Sequence, residues 1–117
     1  MTNPFSDNLI ARTRNATGNS NAAILLMRIA HWMPKATKVF GGHLWITKTA
    51  LEWCADTGLS FSKYRRAMAL LKCPRLGLVV VERHKFGEQT ITHVRLTEAG
   101  RQVVGLPTAP EQTGGQS

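Results

Sequence analysis

The stretch Thr57 to Lys72, TGLSFSKYRRAMALLK, carries Lys63, Arg65, Arg66 and Lys72 and no acid. With Arg75, five cations and no anion occupy Thr57 to Val81. A guanidinium is a planar fork that fits the O6 and N7 atoms of guanine, and an ammonium suits a phosphate oxygen. Solvated helix faces usually mix signs, so an unmixed cationic run favours a polyanion as its partner. Arg83 and Lys85 form a second basic group, and Lys48 precedes Thr49. The competing assignment pairs Arg65 or Arg66 with Glu52 or Asp56 on a neighbouring helix.

These cations need a scaffold. At 100° per residue, Tyr64, Ala67, Met68 and Leu71 share one helix side. The opposite side is centred on Ser62, Arg66 and Ala69, flanked by Lys63 and Arg65. The spacing predicts a helix opened by Ser60 or Ser62, lasting to about Lys72 and ended by Pro74. Its short central residues would let the helix axis approach base edges in a groove. Upstream, Thr49 and Glu52 have capping-box spacing, which predicts a helix over 50–56. Gly58 then supplies the turn between the two helices.

Other elements follow from pattern. Ser20 or Asn21 can cap an apolar helix through AAILLMRIAHWM that Pro34 stops. It is apolar nearly all round and must be covered on several sides. A homodimer contact through 21–33, or through the C-terminal helix, is one way to cover it. KATKVFGG reads as a basic loop and His43 to Thr47 as one short strand. LGLVVVERHK and QTITHVRLT form a hairpin across FGE. A short helix starts at Thr97. The order of helix, strand, helix, turn, helix, strand, strand, helix predicts an α+β winged helix-turn-helix, mainly α with a small antiparallel β wing. Domain boundaries fall at 21–104, between a loosely held arm over 1–20 and a disordered tail over 105–117. Arg12 and Arg14 on that arm could enter a minor groove.

Composition narrows the classes. The chain has 117 residues, with 15 Lys and Arg against 7 Asp and Glu, a net charge of +8. No close acid pair, His-x-x-x-His, phosphate loop or nucleophile motif is present, so no enzyme is expected. No cofactor or metal is expected either, because His43, His84 and His93 lie far apart in sequence. Cys54 and Cys73 read as small buried hydrophobes. Trp32, Trp45 and Trp53 sit where core residues belong rather than as a stacking platform. No run is apolar enough to span a membrane, and no secretory signal is read, so a reducing cytoplasm is the expected location.

The segment LWITKTALEWCADTGLSFSKYRRAMALLK, followed by LGLVVVER, resembles the winged-helix domain of phage and plasmid replication initiators and of small DNA-binding proteins of mobile elements. The likeness covers about Ala22 to Leu96. RLTEAGRQVV also resembles the segment after the wing in regulators related to the multiple-antibiotic-resistance repressors, many of which dimerise. The resemblance implies that Ser60 to Lys72 is the recognition helix. Cys73-Pro74-Arg75 departs from the pattern by lengthening the link to the hairpin.

The expected function is sequence-specific binding of double-stranded DNA, in transcriptional regulation or replication control. Lys48, Lys63, Lys72, Arg83 and Lys85 would meet phosphates, with Thr49 and Ser60 at the adjoining helix starts. Ser62, Arg65 and Arg66 would read bases. About five neutralised phosphates would give a log–log salt slope of roughly −4 to −5. The alternative is a winged-helix protein-interaction module that binds or inhibits a host protein, through the apolar helix or the hairpin edge.

Overall fold

The computed structural model describes residues 4–107, which form an α+β fold of five helices and a four-stranded antiparallel sheet. The helices are α1 (Pro4–Thr17), α2 (Ser20–Trp32), α3 (Ala50–Thr57), α4 (Phe61–Lys72) and α5 (Glu98–Val104). The strands are β1 (Lys38–Phe40), β2 (His43–Lys48), β3 (Val79–Phe86) and β4 (Gln89–Leu96), in the sheet order β1-β2-β4-β3.

The arm expected over 1–20 is instead largely a helix. α1 packs on α2 and α5, and Thr13 is fully buried. The hydroxyls of Thr13 and Thr17 donate to the carbonyls of Leu9 and Thr13, four residues back, so they enter the interface already satisfied. The other polar residues of α1 among them Arg12, Arg14 and Asn15, face solvent on the opposite side of the helix. The Arg12 side chain is exposed and lies beside Gly105 at the end of α5. Of the tail expected over 105–117, residues 108–117 lie outside the described residues. Gly105 itself closes α5 as a left-handed cap.

α1 also changes the argument for a dimer. Within α2 only Ser20 and His31 are exposed, because α1, α3, α4 and α5 surround it. The cover demanded by its apolar surface comes from the same chain. α5 shows Glu98, Ala99 and Gln102 to solvent, not an apolar stripe. The α2 cap is Asn19, one residue earlier than Ser20, and its side chain accepts from the Ala22 N–H at 2.9 Å.

The segment expected as a basic loop contains β1, which pairs with β2 in register Lys38 to Trp45 and Phe40 to His43. β2 pairs with β4, and β4 with β3, so the third strand of the hairpin assembly comes from before the two middle helices. On β3, alternation puts Val79, Val81, Arg83 and Lys85 on one face. Val79 is buried in the main core with Val94, Leu96 and Ile46, and Val81 packs against it. That face therefore meets the helices at one end and carries the two cations at the other.

α3 and α4 are joined by the tight turn that the sequence predicts. The capping box is complete: Thr49 Oγ1 accepts from the Glu52 N–H at 3.2 Å, and Glu52 Oε1 accepts from the Thr49 N–H at 2.9 Å. Gly58 adopts φ +77°, a left-handed conformation that costs a β-carbon-bearing residue roughly 1 kcal/mol or more. Ser60 then caps α4, accepting from the Lys63 N–H at 3.3 Å. Tyr64, Ala67, Met68 and Leu71 all point into the core with Trp53, Leu25, Leu26 and Ile29. Packing on that side leaves Ser62, Lys63, Arg65, Arg66, Ala69 and Lys72 exposed.

Candidate nucleic-acid interface

The exposed side of α4 adjoins three shallow depressions. Ser62, Arg65, Arg66 and Ala69 line the first, of about 380 Å³. Arg65 also lines the second, of about 300 Å³, where it meets Phe61, Tyr64, Arg83, Thr90 and Thr92. Lys63 and Arg66 line the third, of about 190 Å³, with Asn19 and Asn21 at the start of α2. Arg65 and Arg66 thus connect the helix face to the hairpin on one side and to the α2 terminus on the other. None of the three linings contains an Asp or Glu.

The nearest acids are occupied elsewhere. Asp56 receives Arg28 Nε at 3.1 Å and Arg28 Nη2 at 2.9 Å, and Trp32 Nε1 donates to it at 2.9 Å. Glu52 is held in the capping box. Among the described residues the one Lys or Arg paired with a carboxylate is Arg28, on Asp56, and Glu82 meets His84, so neither Arg65 nor Arg66 is neutralised by a carboxylate. Glu82 and His84 lie on the opposite sheet face from Arg83 and Lys85, which leaves the helix-side face of β3 positive.

The fork on Asp56 ties α2 to α3. The hydrogen bond from Arg28 is the main cause that holds the Asp56 carboxyl below the usual range, against the opposing cost of burial. A depressed folded-state value gives stabilisation that is complete above the unfolded carboxylate range and is lost as pH falls through the folded value. Asp56→Asn should cost about 1–2 kcal/mol at pH 7. The gap should narrow as pH drops below about 4. Urea melts at pH 7 and pH 3 check this, and a gap independent of pH would mean that the carboxylate charge is not what Arg28 holds.

Other site expectations need revision. Lys48 does not join the α4 surface: its Nζ sits 4.0 Å from the centroid of the Trp32 ring and 5.5 Å from that of Trp53, a cation–π seat at the end of β2. It lies on the helix-facing side of its strand, where aromatic rings claim it. The hydroxyls of Thr49 and Ser60 accept from backbone N–H groups, so both residues set helix starts. Lys72 is exposed in the last turn of α4, more than two turns from Ser62. Arg83 pairs across the hairpin with Thr92, and Lys85 with Thr90. Trp45 and Trp53 are buried, whereas Trp32 is half-buried.

Two features escaped the sequence reading. Phe61, the first residue of α4, is 51% exposed beside Arg65. Sequence separation also failed to keep the histidines apart: antiparallel pairing brings the His84 and His93 rings to 4.6 Å between centroids on the outer sheet face. Phe40 and Trp45 adjoin them there. Among the described residues no group of three or more His, Cys, Asp or Glu is placed to hold a metal ion. No helix among them is long and apolar enough to cross a membrane. No protein-family model matches this chain, and neither a curated protein nor a solved structure matches it.

Proposed function

We propose that this chain is a winged helix-turn-helix protein that binds double-stranded DNA with sequence specificity, α4 lying in the major groove and the β3–β4 hairpin along the backbone. The observation that carries this reading is the continuous carboxylate-free surface from Lys63 through Arg66 and Arg65 to Arg83. A recognition helix reaches base edges from its N-terminal part. Ser62, Arg65 and Arg66 occupy that part, with Lys63, Lys72, Arg83 and Lys85 around it as phosphate contacts. The mechanism is occupancy of a site, in transcription or replication control. An origin on a phage or plasmid rests on the sequence resemblance alone.

With Lys48 seated on Trp32, four phosphate contacts remain. The log–log salt slope should be about −3.5 per protomer, less steep than the sequence alone suggests. A fluorescence-anisotropy titration from low to moderate salt, on a duplex selected from a random pool, measures it. Lys48→Ala should leave the slope unchanged, and Lys63→Ala should reduce its magnitude by about one. Binding indifferent to salt would sink the reading.

Exposed apolar side chains on the edge strand β1 and at the end of β3 favour a second reading. Val39, Phe40 and Phe86 are each about half exposed. They would suit a protein partner docking at the strand ends. Nuclease-resistant, Phe40-dependent binding to a purified host factor, without duplex binding, would favour it.

A further inference from the structure

Phe61 stands out on the surface of α4. It is the first residue of the helix, next to the Ser60 cap, and half of it meets solvent while Tyr64 one turn on is buried. The Arg65 guanidinium carbon lies 5.7 Å from the Phe61 ring centroid, and the Tyr64 ring is 6.4 Å away at a tilt. Phe61 and Arg65 are four residues apart and so share one helix side. Both line the depression that runs to Arg83 on the hairpin. The surface there pairs an apolar ring with a cationic fork, and the ring limits where the fork can go.

The major groove offers one apolar feature, the 5-methyl group of thymine, and the strongest acceptor pair is O6 and N7 of guanine. We propose that Phe61 and Arg65 together read a thymine and a guanine within two base pairs of each other, Phe61 covering the thymine methyl while Arg65 spans the guanine edge. This rests on the DNA-binding reading above and deepens it by naming two determinants of the site. Phe61 is the apolar half of the pair and adds a thymine determinant to the guanine determinant that Arg65 supplies. One helical turn advances about 5.4 Å and one base step about 3.4 Å, so contacts four residues apart fall one or two base pairs apart.

The test uses the full chain and a duplex selected from a random pool. Each thymine of the selected site is replaced in turn by uracil, which removes the methyl and keeps every base-edge hydrogen-bonding group. One position, within two base pairs of a guanine that Arg65→Ala ceases to discriminate, should weaken binding about fourfold, the worth of one buried methyl. In Phe61→Ala the same replacement should have no effect, because nothing remains to cover the methyl. Since Phe61 is half exposed, the variant keeps its core, which a matching thermal melt checks. Specific binding that is insensitive to uracil at every position overturns the proposal and leaves DNA recognition standing. So does a Phe61→Ala protein weakened equally on thymine and uracil duplexes, which would put the ring against sugar instead. Failure to recover any preferred duplex overturns both readings together.

Discussion

Arg66→Glu should reduce specific duplex affinity by at least about 100-fold, roughly 3 kcal/mol, while leaving the thermal melt unchanged. Arg66 is exposed, lines two of the three depressions on α4, and has no carboxylate partner among the described residues. Removing a bidentate base contact costs about 1–3 kcal/mol, and an anion in its place adds repulsion from the phosphates. Fold stability should not follow, because the buried side of α4 is Tyr64, Ala67, Met68 and Leu71. The informative comparison is Arg75→Glu. Arg75 is also exposed but lies beyond the C-terminus of α4. It makes the same change in net charge, so it isolates the long-range part of the effect, which should be only a few-fold at moderate salt. Equal losses from both variants would mean that total charge, not the α4 face, sets affinity.

The sequence reading succeeded where one local pattern determines one local structure. The α4 stripe is legible because Tyr64, Ala67, Met68 and Leu71 repeat at helical spacing and face a single core. The α3 start is legible because Thr49 and Glu52 satisfy each other's backbone within four residues. Failures arose where a partner far along the chain decides. β1 has three residues, too few to show alternation, and it forms because β2 offers an edge across the Gly41-Gly42 turn. α1 has few apolar residues, and its helix is stabilised by an α2 surface that needs covering. The physical requirement was readable in the apolar girth of α2, but its answer was not, since a second copy and an upstream helix satisfy it equally. Lys48 was misplaced for a related reason. A lysine before a capped helix looks solvent-bound until Trp32 and Trp53 arrive over it from two different helices. Phe61 was missed because it stands three residues before Tyr64, at the spacing of the inward stripe, yet as the first residue of α4 it is half exposed.

Gly100→Ala should destabilise the fold by about 3 kcal/mol, although alanine is the better helix former by about 1 kcal/mol. A β-carbon at this position in α5 would collide with the carbonyl oxygen of Leu78 and come within 3.1 Å of Leu96 Cδ2. The clash is with backbone, which cannot swing aside. The same carbonyl accepts from the Thr97 N–H at 3.0 Å, and Thr97 Oγ1 donates to the Gly77 carbonyl at 2.6 Å, so α5 starts on the segment that links α4 to β3. That link contains Cys73, Pro74 and Arg75, the insertion relative to the resembled pattern. The chain recovers from it by a turn in which the Gly77 N–H bonds to Cys73 and the Leu78 N–H returns to Leu71. The seat of α5 therefore fixes where β3 begins relative to α4, and with it the spacing of Arg83 from Arg65. The melting temperature should fall by about 15 °C for a domain of this size. Ala99→Gly, on the exposed side of the same helix, should cost only the propensity difference of about 1 kcal/mol. The folded Gly100→Ala protein should also bind its selected duplex less well than Ala99→Gly does, because the hairpin would no longer stand at the same distance from α4. A Gly100→Ala protein as stable as the parent would show that α5 does not rest on the Leu78 backbone, and the link would then have to be held by α4 alone.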